Sequence, residues 1–221
     1  MTLRQIKTKA ETNLAQQHFY LRPIEQSDLD SVANWYQQVE DVSIFDRQVP
    51  LPINKDEVKQ IISDQIRDRA KNRCYWFIAE DESSNAIGMT GLEQVSNIHG
   101  SAILPVFVDS NWRRSGIGIR LLCLMMEMAF KQLRLHRICT VYRADNKASA
   151  TLINQCGFVQ EGISRQAWFG KGEYFDLINV GILAKEWEQI RVELSNSMNP
   201  EIKLCLGPRA TPEWCWPIIE S

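Results

Sequence analysis

The segment Asp109-Ser-Asn-Trp-Arg-Arg-Ser-Gly-Ile-Gly-Ile-Arg120 puts two adjacent arginines and two glycines directly before a run with helical periodicity. Backbone N–H groups at a helix start have no intrahelical acceptor and lie at the positive end of the helix dipole. Glycines at 116 and 118 remove the Cβ atoms that would hold an anion away from that backbone. Arg113 and Arg114 add charge-assisted donors. Such a set can cradle a pyrophosphate, with Arg113, Arg114, Ser115, Gly116, Ile117 and Gly118 as the binding residues. Two common pyrophosphate signatures fail. A dinucleotide fingerprint needs glycine where Leu121 stands, and a P-loop needs Lys-Ser/Thr where the chain has Ile119-Arg120.

Positioning this loop requires a strand before it and a helix after it. Ser101 to Val108 reads as the strand, but it contains Pro105. Proline cannot donate to a ladder, so a bulge or splay is expected there. Ile119, Leu122, Met126, Phe130 and Leu133 form the apolar stripe of a helix over 117–133. Upstream, His18–Arg22 reads as a short strand, and Ser27 is the expected N-cap of a first helix with Asp30 in its first turn. Asn54 caps a second helix running to about Lys71, with Val58, Ile61, Ile62 and Ile66 on one stripe. Cys74–Ala79 and Ala86–Leu92 form a hairpin. Downstream, Arg137–Tyr142 is a strand and Asn146–Cys156 a helix closed by Gly157. Phe158–Ala167 and Tyr174–Leu183 are strands whose connection takes its positive φ from Gly170 and Gly172, and Ala184–Asn196 is a last helix.

Composition narrows the class. The 221 residues carry 25 Lys+Arg against 27 Asp+Glu, so no global field draws in a nucleic acid. No apolar run reaches the roughly 20 residues of a membrane span, and the start lacks the apolar stretch of a secretory signal. A cytoplasmic location and no membrane or nucleic-acid partner are the expectation. The six cysteines form no CxxC pair and stand at no ligand spacing from His18, His99 or His136. Reduced structural thiols and no metal are expected. Residues 1–17 read as an N-terminal arm, 18–196 as the domain, and 197–221 as a tail holding Pro200, Pro208, Pro212 and Pro217 beside Trp214 and Trp216. Tryptophans in such a tail should pack against the body or a partner subunit, which leaves a homodimer open.

Arg113-x-x-Gly116-x-Gly118 after a bulged strand resembles motif A of the GNAT superfamily of acetyl-CoA-dependent N-acetyltransferases. The surroundings strengthen the likeness: Leu135–Val141, Asn146-Lys-Ala-Ser149, Asn154-Gln-Cys-Gly-Phe158, Glu161-Gly162, then Tyr174, Asp176 and Leu183–Trp187. Their order and spacing are similar to the branch of ribosomal-protein N-terminal and spermidine acetyltransferases. The resemblance covers about residues 18–190 and implies an α/β fold with a central twisted mixed sheet, splayed central strands and flanking helices. It implies acetyl-CoA as cosubstrate, with Val106, Phe107 and Val108 offering backbone groups to pantetheine and Asn146 touching the cofactor arm. Ser149 matches the serine that relatives use near the sulfur as proton donor; Ile153 and Asn154 stand where other relatives carry a tyrosine. The implied acceptor is a protein N-terminus or a small amine such as a polyamine, aminosugar or aminoglycoside, attacking directly in a ternary complex. A CoA-binding module with weakened catalysis is the alternative.

An attacking amine must lose a proton, so a base is required. Glu93, after Gly91, is the favoured base, with His99 second; the glutamate of many relatives is replaced by Ile103. Asn146 and Ser149 also fit a plain helix cap with a polar third residue. Asp41, Asp46, Glu173 and Asp176 are acids that could attract a cationic amine.

Overall fold

The strand-forming runs assemble into one mixed sheet in a computed structural model of the chain, which describes residues 17–46, 52–67 and 73–218. The expected arm, apart from Gln17, and the end of the second helix lie outside the described residues. The strands are β1 (Gln17–Pro23), β2 (Tyr75–Glu80), β3 (Ala86–Ser96), β4 (Ser101–Ile103), β5 (Val106–Val108), β6 (Arg137–Arg143), β7 (Val159–Gly170), β8 (Glu173–Leu183), β9 (Ile202–Cys205) and β10 (Cys215–Trp216). Across the sheet they run β10-β9-β1-β2-β3-β4-β6-β8-β7, with β5 also paired to β3. The β1–β9 and β4–β6 pairs are parallel.

Alternation along β2 shows how the sheet is clothed. Phe77 and Ala79 face the larger core, built on Leu121, Leu122, Leu124 and Met125 of helix α4 (Ile117–Glu127). Trp76 and Ile78 face the opposite way, onto α1 (Leu29–Trp35), α2 (Val39–Phe45) and α3 (Lys55–Arg67). Two further helices, α5 (Lys147–Gln155) and α6 (Ala184–Asn196), complete the layers.

Several local expectations are revised. The chain enters α1 through a 3₁₀ turn in which Asp28, rather than Ser27, takes the Glu25 N–H at 2.8 Å. Asp28 is also fixed by Arg22, so the carboxylate satisfies a strand residue and a helix start together. Asn54 does cap α3, accepting the Glu57 N–H at 2.9 Å. The helix predicted over 117–133 is α-helical only to Glu127 and continues as one wider π turn, Met128–Gln132. The β7–β8 turn takes its positive φ from Lys171 and Gly172, not from Gly170.

The tail packs as expected and in addition forms strands that its composition did not reveal. It packs on the body through Trp216, which is fully buried and 5.4 Å from the Trp187 ring. It also continues the sheet: β9 lies along β1, and β10 returns along β9. That register sets Cys205 opposite Cys215, and the two form a disulfide. The expectation of six reduced cysteines therefore fails at this pair, whose contact depends on a hairpin that the tail's composition did not reveal. Cys74, Cys123, Cys139 and Cys156 remain free thiols.

Candidate active site

Pro105 divides the predicted strand in two. On its N-terminal side, β4 is paired on both edges, to β3 and to β6, and the β6 ladder closes with the Leu104 N–H on the Cys139 carbonyl at 3.0 Å. On its far side, β5 stays on β3, with Thr90 opposite Val106, Met89 opposite Phe107 and Gly88 opposite Val108. Thr90 Oγ1 donates to the Pro105 carbonyl at 2.8 Å and holds the break. From Thr140 onward β6 is paired only to β8 among the described residues. The facing edges of β5 and β6 thus part, leaving backbone donors and acceptors that require partners.

The mouth of this gap is the predicted pyrophosphate loop. Arg114 and Gly116 both have positive φ, 64° and 82°, on either side of Ser115. This backbone path is of the kind whose successive N–H groups form an anion-binding concavity. Gly116, the N-cap of α4, has no side chain to cap the helix, and the Ile117 N–H donates to Ser115 Oγ at 3.4 Å. A Cβ on Gly118 would meet Leu152 and Val108 only at 3.5 and 3.6 Å, ordinary contact distances. The fold itself does not demand glycine there; a Cβ would narrow the slot between β5, α4 and α5. A diphosphate followed by an extended amide-bearing arm fits these features: a helix start whose N-cap residue has no side chain, a slot walled by Leu152 and Val108 beside Gly118, and two strand edges that part.

Side chains around the gap divide by role. Asn146 caps α5, its Oδ1 accepting the Ser149 N–H at 3.0 Å. The cap that the sequence allowed is present, and it leaves the amide Nδ2 as the group that can donate to a ligand. Ser149 is half-buried and three residues before Leu152, hence on the same face of α5 as the side chain lying over Gly118 and Val108. No hydrogen bond among the described residues engages its Oγ. Arg113 does not point to the helix start: its Nε donates to the Val108 carbonyl at 3.2 Å and its Nη1 pairs with Asp41 at 2.9 Å. Trp112 is a packing residue, edge-on to Phe19 at 5.3 Å.

The other side of the gap carries acids. Glu93 is opposite Ile103, the last residue of β4 before the split. Burial, and secondarily the nearby Asp46 carboxylate, raise its pKa above the usual glutamate range. Asp46 accepts the Tyr36 hydroxyl at 2.7 Å, and burial together with Asp46 and Glu93 keeps that phenol protonated. Tyr36, Asp46 and Glu93 therefore form one electrostatic group drawn from the ends of α1 and α2 and from β3. His99 instead occupies the exposed β3–β4 turn, at the closed end of the ladder. Of the other acids singled out, Asp176 is occupied by the Gln166 N–H at 2.8 Å and Glu173 is exposed at the hairpin turn. Tyr36 is the member that sequence reasoning missed; nothing in its local sequence separates it from a core tyrosine.

Among the described residues no group of three or more His, Cys, Asp or Glu side chains is placed to hold a metal ion. No helix among them is long and apolar enough to cross a membrane.

Comparison with known proteins places this geometry in context. A family model described as an acetyltransferase (GNAT) domain matches residues 18–159. Spermidine N(1)-acetyltransferase of Vibrio cholerae is 29% identical over 132 residues, covering 60% of this chain and 75% of that protein. A putative ribosomal N-acetyltransferase of Bacillus subtilis is 25% identical over 101 residues, 46% of this chain and 55% of its own. The crystal structure of the V. cholerae spermidine N-acetyltransferase with CoA and spermine superposes with a TM-score of 0.69 at 26% identity, covering 77% of this chain and 98% of that one.

Proposed function

Since the chain belongs to the GNAT acetyltransferase family and is an N-acetyltransferase, we propose that it transfers an acetyl group from acetyl-CoA to a primary amine of a small polycation. The observation that carries this reading is the parting of β5 from β6 with the Gly116–Gly118 helix start at one side and Glu93 at the other. Bound acetyl-CoA supplies an acetyl group activated as a thioester. The Arg114–Gly118 backbone holds the diphosphate, and the Val106–Val108 edge pairs with the pantetheine amides. Asn146 Nδ2 donates to the same arm.

On the acceptor side, Asp46 and Glu93 concentrate negative charge where a protonated amine must arrive. A polyamine nitrogen enters as an ammonium and has to lose a proton before it can attack, because lysine-like amines titrate near ~10. Glu93 takes that proton at its carboxylate, through a bridging water. Its raised pKa suits the task, since a carboxyl nearer neutrality is a stronger base than an ordinary glutamate. Attack breaks the C–S bond, and Ser149 Oγ relays the second proton lost by the attacking nitrogen to the departing thiolate, so coenzyme A leaves as the thiol and the serine ends protonated. The superposed V. cholerae protein, whose structure holds CoA and spermine, supports a polyamine in preference to a protein N-terminus.

Thiol release from acetyl-CoA is the test, using spermidine, spermine, glucosamine, kanamycin and N-terminal peptides as acceptors. The polyamines are expected to give the largest kcat/KM. Preference for peptides would overturn the acceptor assignment, and absence of thiol release with every acceptor would overturn acetyl-CoA-dependent transfer in favour of a binding module.

A further inference from the structure

Arg120 lies one turn into α4, yet it is only 3% exposed and has no carboxylate partner among the described residues. Each of its three nitrogens donates to a backbone carbonyl: Nε to Ile202 at 2.8 Å, Nη2 to Asn199 at 2.7 Å and Nη1 to Gly116 at 2.9 Å. Two of those carbonyls belong to the tail, and the third belongs to the residue at the head of the pyrophosphate loop. Burying a cation without a counter-ion is costly, and an apolar side chain of similar size would pack the helix on the tail with less penalty. The retained guanidinium therefore performs something that packing does not.

What it fixes is a peptide plane. The Gly116 carbonyl and the Ile117 N–H belong to one planar trans peptide and point in opposite directions. Holding the carbonyl toward Arg120 fixes the opposite-facing Ile117 N–H at the helix start, where it donates to Ser115 Oγ at 3.4 Å and where a diphosphate would be received. The guanidinium also lies directly under Gly116, where an added Cβ would come within 2.6 Å of Nη1. The tail end of the clamp is itself anchored. The Gln17 N–H bonds the Glu201 carbonyl at 2.8 Å, β9 is paired along β1, and the Ile218 N–H bonds Ser195 Oγ at 2.6 Å. The tail residues Asn199, Glu201, Ile202 and Ile218 lie beyond the segment matched by the family model, which ends at 159.

We infer that Arg120 is a positioning residue through which the C-terminal tail sets the diphosphate loop, so that coenzyme A affinity depends on a segment outside the matched domain. The inference rests on the reading that this loop holds coenzyme A. It is tested on the full chain by calorimetric titration with coenzyme A, alongside thermal unfolding and the KM for the amine. Arg120→Met removes both fork and charge and should weaken coenzyme A binding at least 10-fold with the amine KM unchanged. Arg120→Lys keeps the buried charge but cannot reach three carbonyls, and should weaken binding about 3-fold; it also serves where the methionine variant does not fold. A structural role alone would lower the melting temperature and the binding stoichiometry while leaving Kd at the wild-type value, which overturns the inference. Wild-type affinity in the lysine variant with loss only in the methionine variant also overturns it, because charge rather than the tail clamp would then be responsible. Failure of the wild-type protein to bind coenzyme A would instead remove the cofactor reading.

Discussion

The two sides of the gap between β5 and β6 are built from different materials. The side proposed for coenzyme A is mostly backbone: the β5 edge, a left-handed glycine and a helix start with no N-cap side chain, contributed by 106–108 and 114–118. The side proposed for the acceptor is mostly side chains, with Tyr36, Asp46 and Glu93 brought together from the ends of α1 and α2 and from β3. A backbone site suits a ligand whose shape never changes. A side-chain site can be altered one residue at a time without disturbing the sheet. The two sides should therefore respond separately to substitution.

The largest expected effect is on the cofactor side. Gly116→Asp imposes a side chain on a residue at φ 82°, a strain of about 1–3 kcal/mol for a non-glycine residue. It also drives a Cβ into Arg120 and places a carboxylate where the diphosphate belongs. Together these should weaken coenzyme A binding about 1,000-fold, roughly 4 kcal/mol. The comparison breaks if a folded Gly116→Asp variant binds coenzyme A normally by calorimetry.

On the acceptor side, Glu93→Gln keeps the shape and removes the base. An expected loss of about 100-fold in kcat/KM lies at the low end for general base catalysis, and Kd for coenzyme A should not change. The pH dependence gives the sign. Glu93 titrates above the usual glutamate range because burial penalises its charged form, so activity falls as pH drops through that raised value. The acidic limb of the wild-type profile should vanish in Glu93→Gln. Stability runs the other way: the folded state holds this proton more tightly than the unfolded chain. The contribution is full below the unfolded carboxyl pKa and is lost as pH rises through the folded value. Glu93→Gln should therefore melt above wild type at neutral pH and converge with it in acid.

This contrast also explains what could be read from the sequence. Arg113-x-x-Gly-x-Gly118 and Pro105 are local signals, because backbone conformation is decided by near neighbours, and the loop and the strand break followed from them. The acceptor cluster has no local signal. Glu93 was named as the base only from its place after Gly91 and Asp46 only as an acid, and their mutual influence exists only once β3 and the end of α2 meet. Arg113 shows the limit from the other side: its position in the loop was legible, but its engagement with Asp41, 72 positions away in sequence, was not. The tail was harder still, since β9 finds β1 across almost the whole chain and nothing in a Pro/Trp-rich stretch announces a strand. Arg120, readable as one more loop cation, faces that tail instead.

Ser149 tests whether a side chain on the cofactor side acts in chemistry rather than binding. Its backbone N–H already serves the Asn146 cap, so removing the hydroxyl leaves α5 intact. Ser149→Ala should lower kcat about 10-fold, with coenzyme A affinity almost unchanged. Equal kcat in the two proteins would leave Ser149 as a helix residue only.

The smallest effect concerns the contact that joins the two sides. The Arg113–Asp41 pair at 2.9 Å links the cofactor loop to α2, and it is partly exposed, so its own worth is of order 0.5 kcal/mol. While Asp41 and the Val108 carbonyl hold Arg113, its charge is turned from the helix start toward the acceptor side. A diphosphate bound at the helix start would compete with Asp41 for the same guanidinium. Asp41→Asn removes the competitor, and coenzyme A should then bind about 3-fold more tightly, by RT ln 3 or about 0.6 kcal/mol. If the pair instead serves only to hold α2 over the acceptor site, Asp41→Asn will raise the amine KM and leave coenzyme A affinity alone. Calorimetry on the variant, with KM measured for both substrates, separates the two outcomes, and only the first makes Arg113 a cofactor residue in waiting.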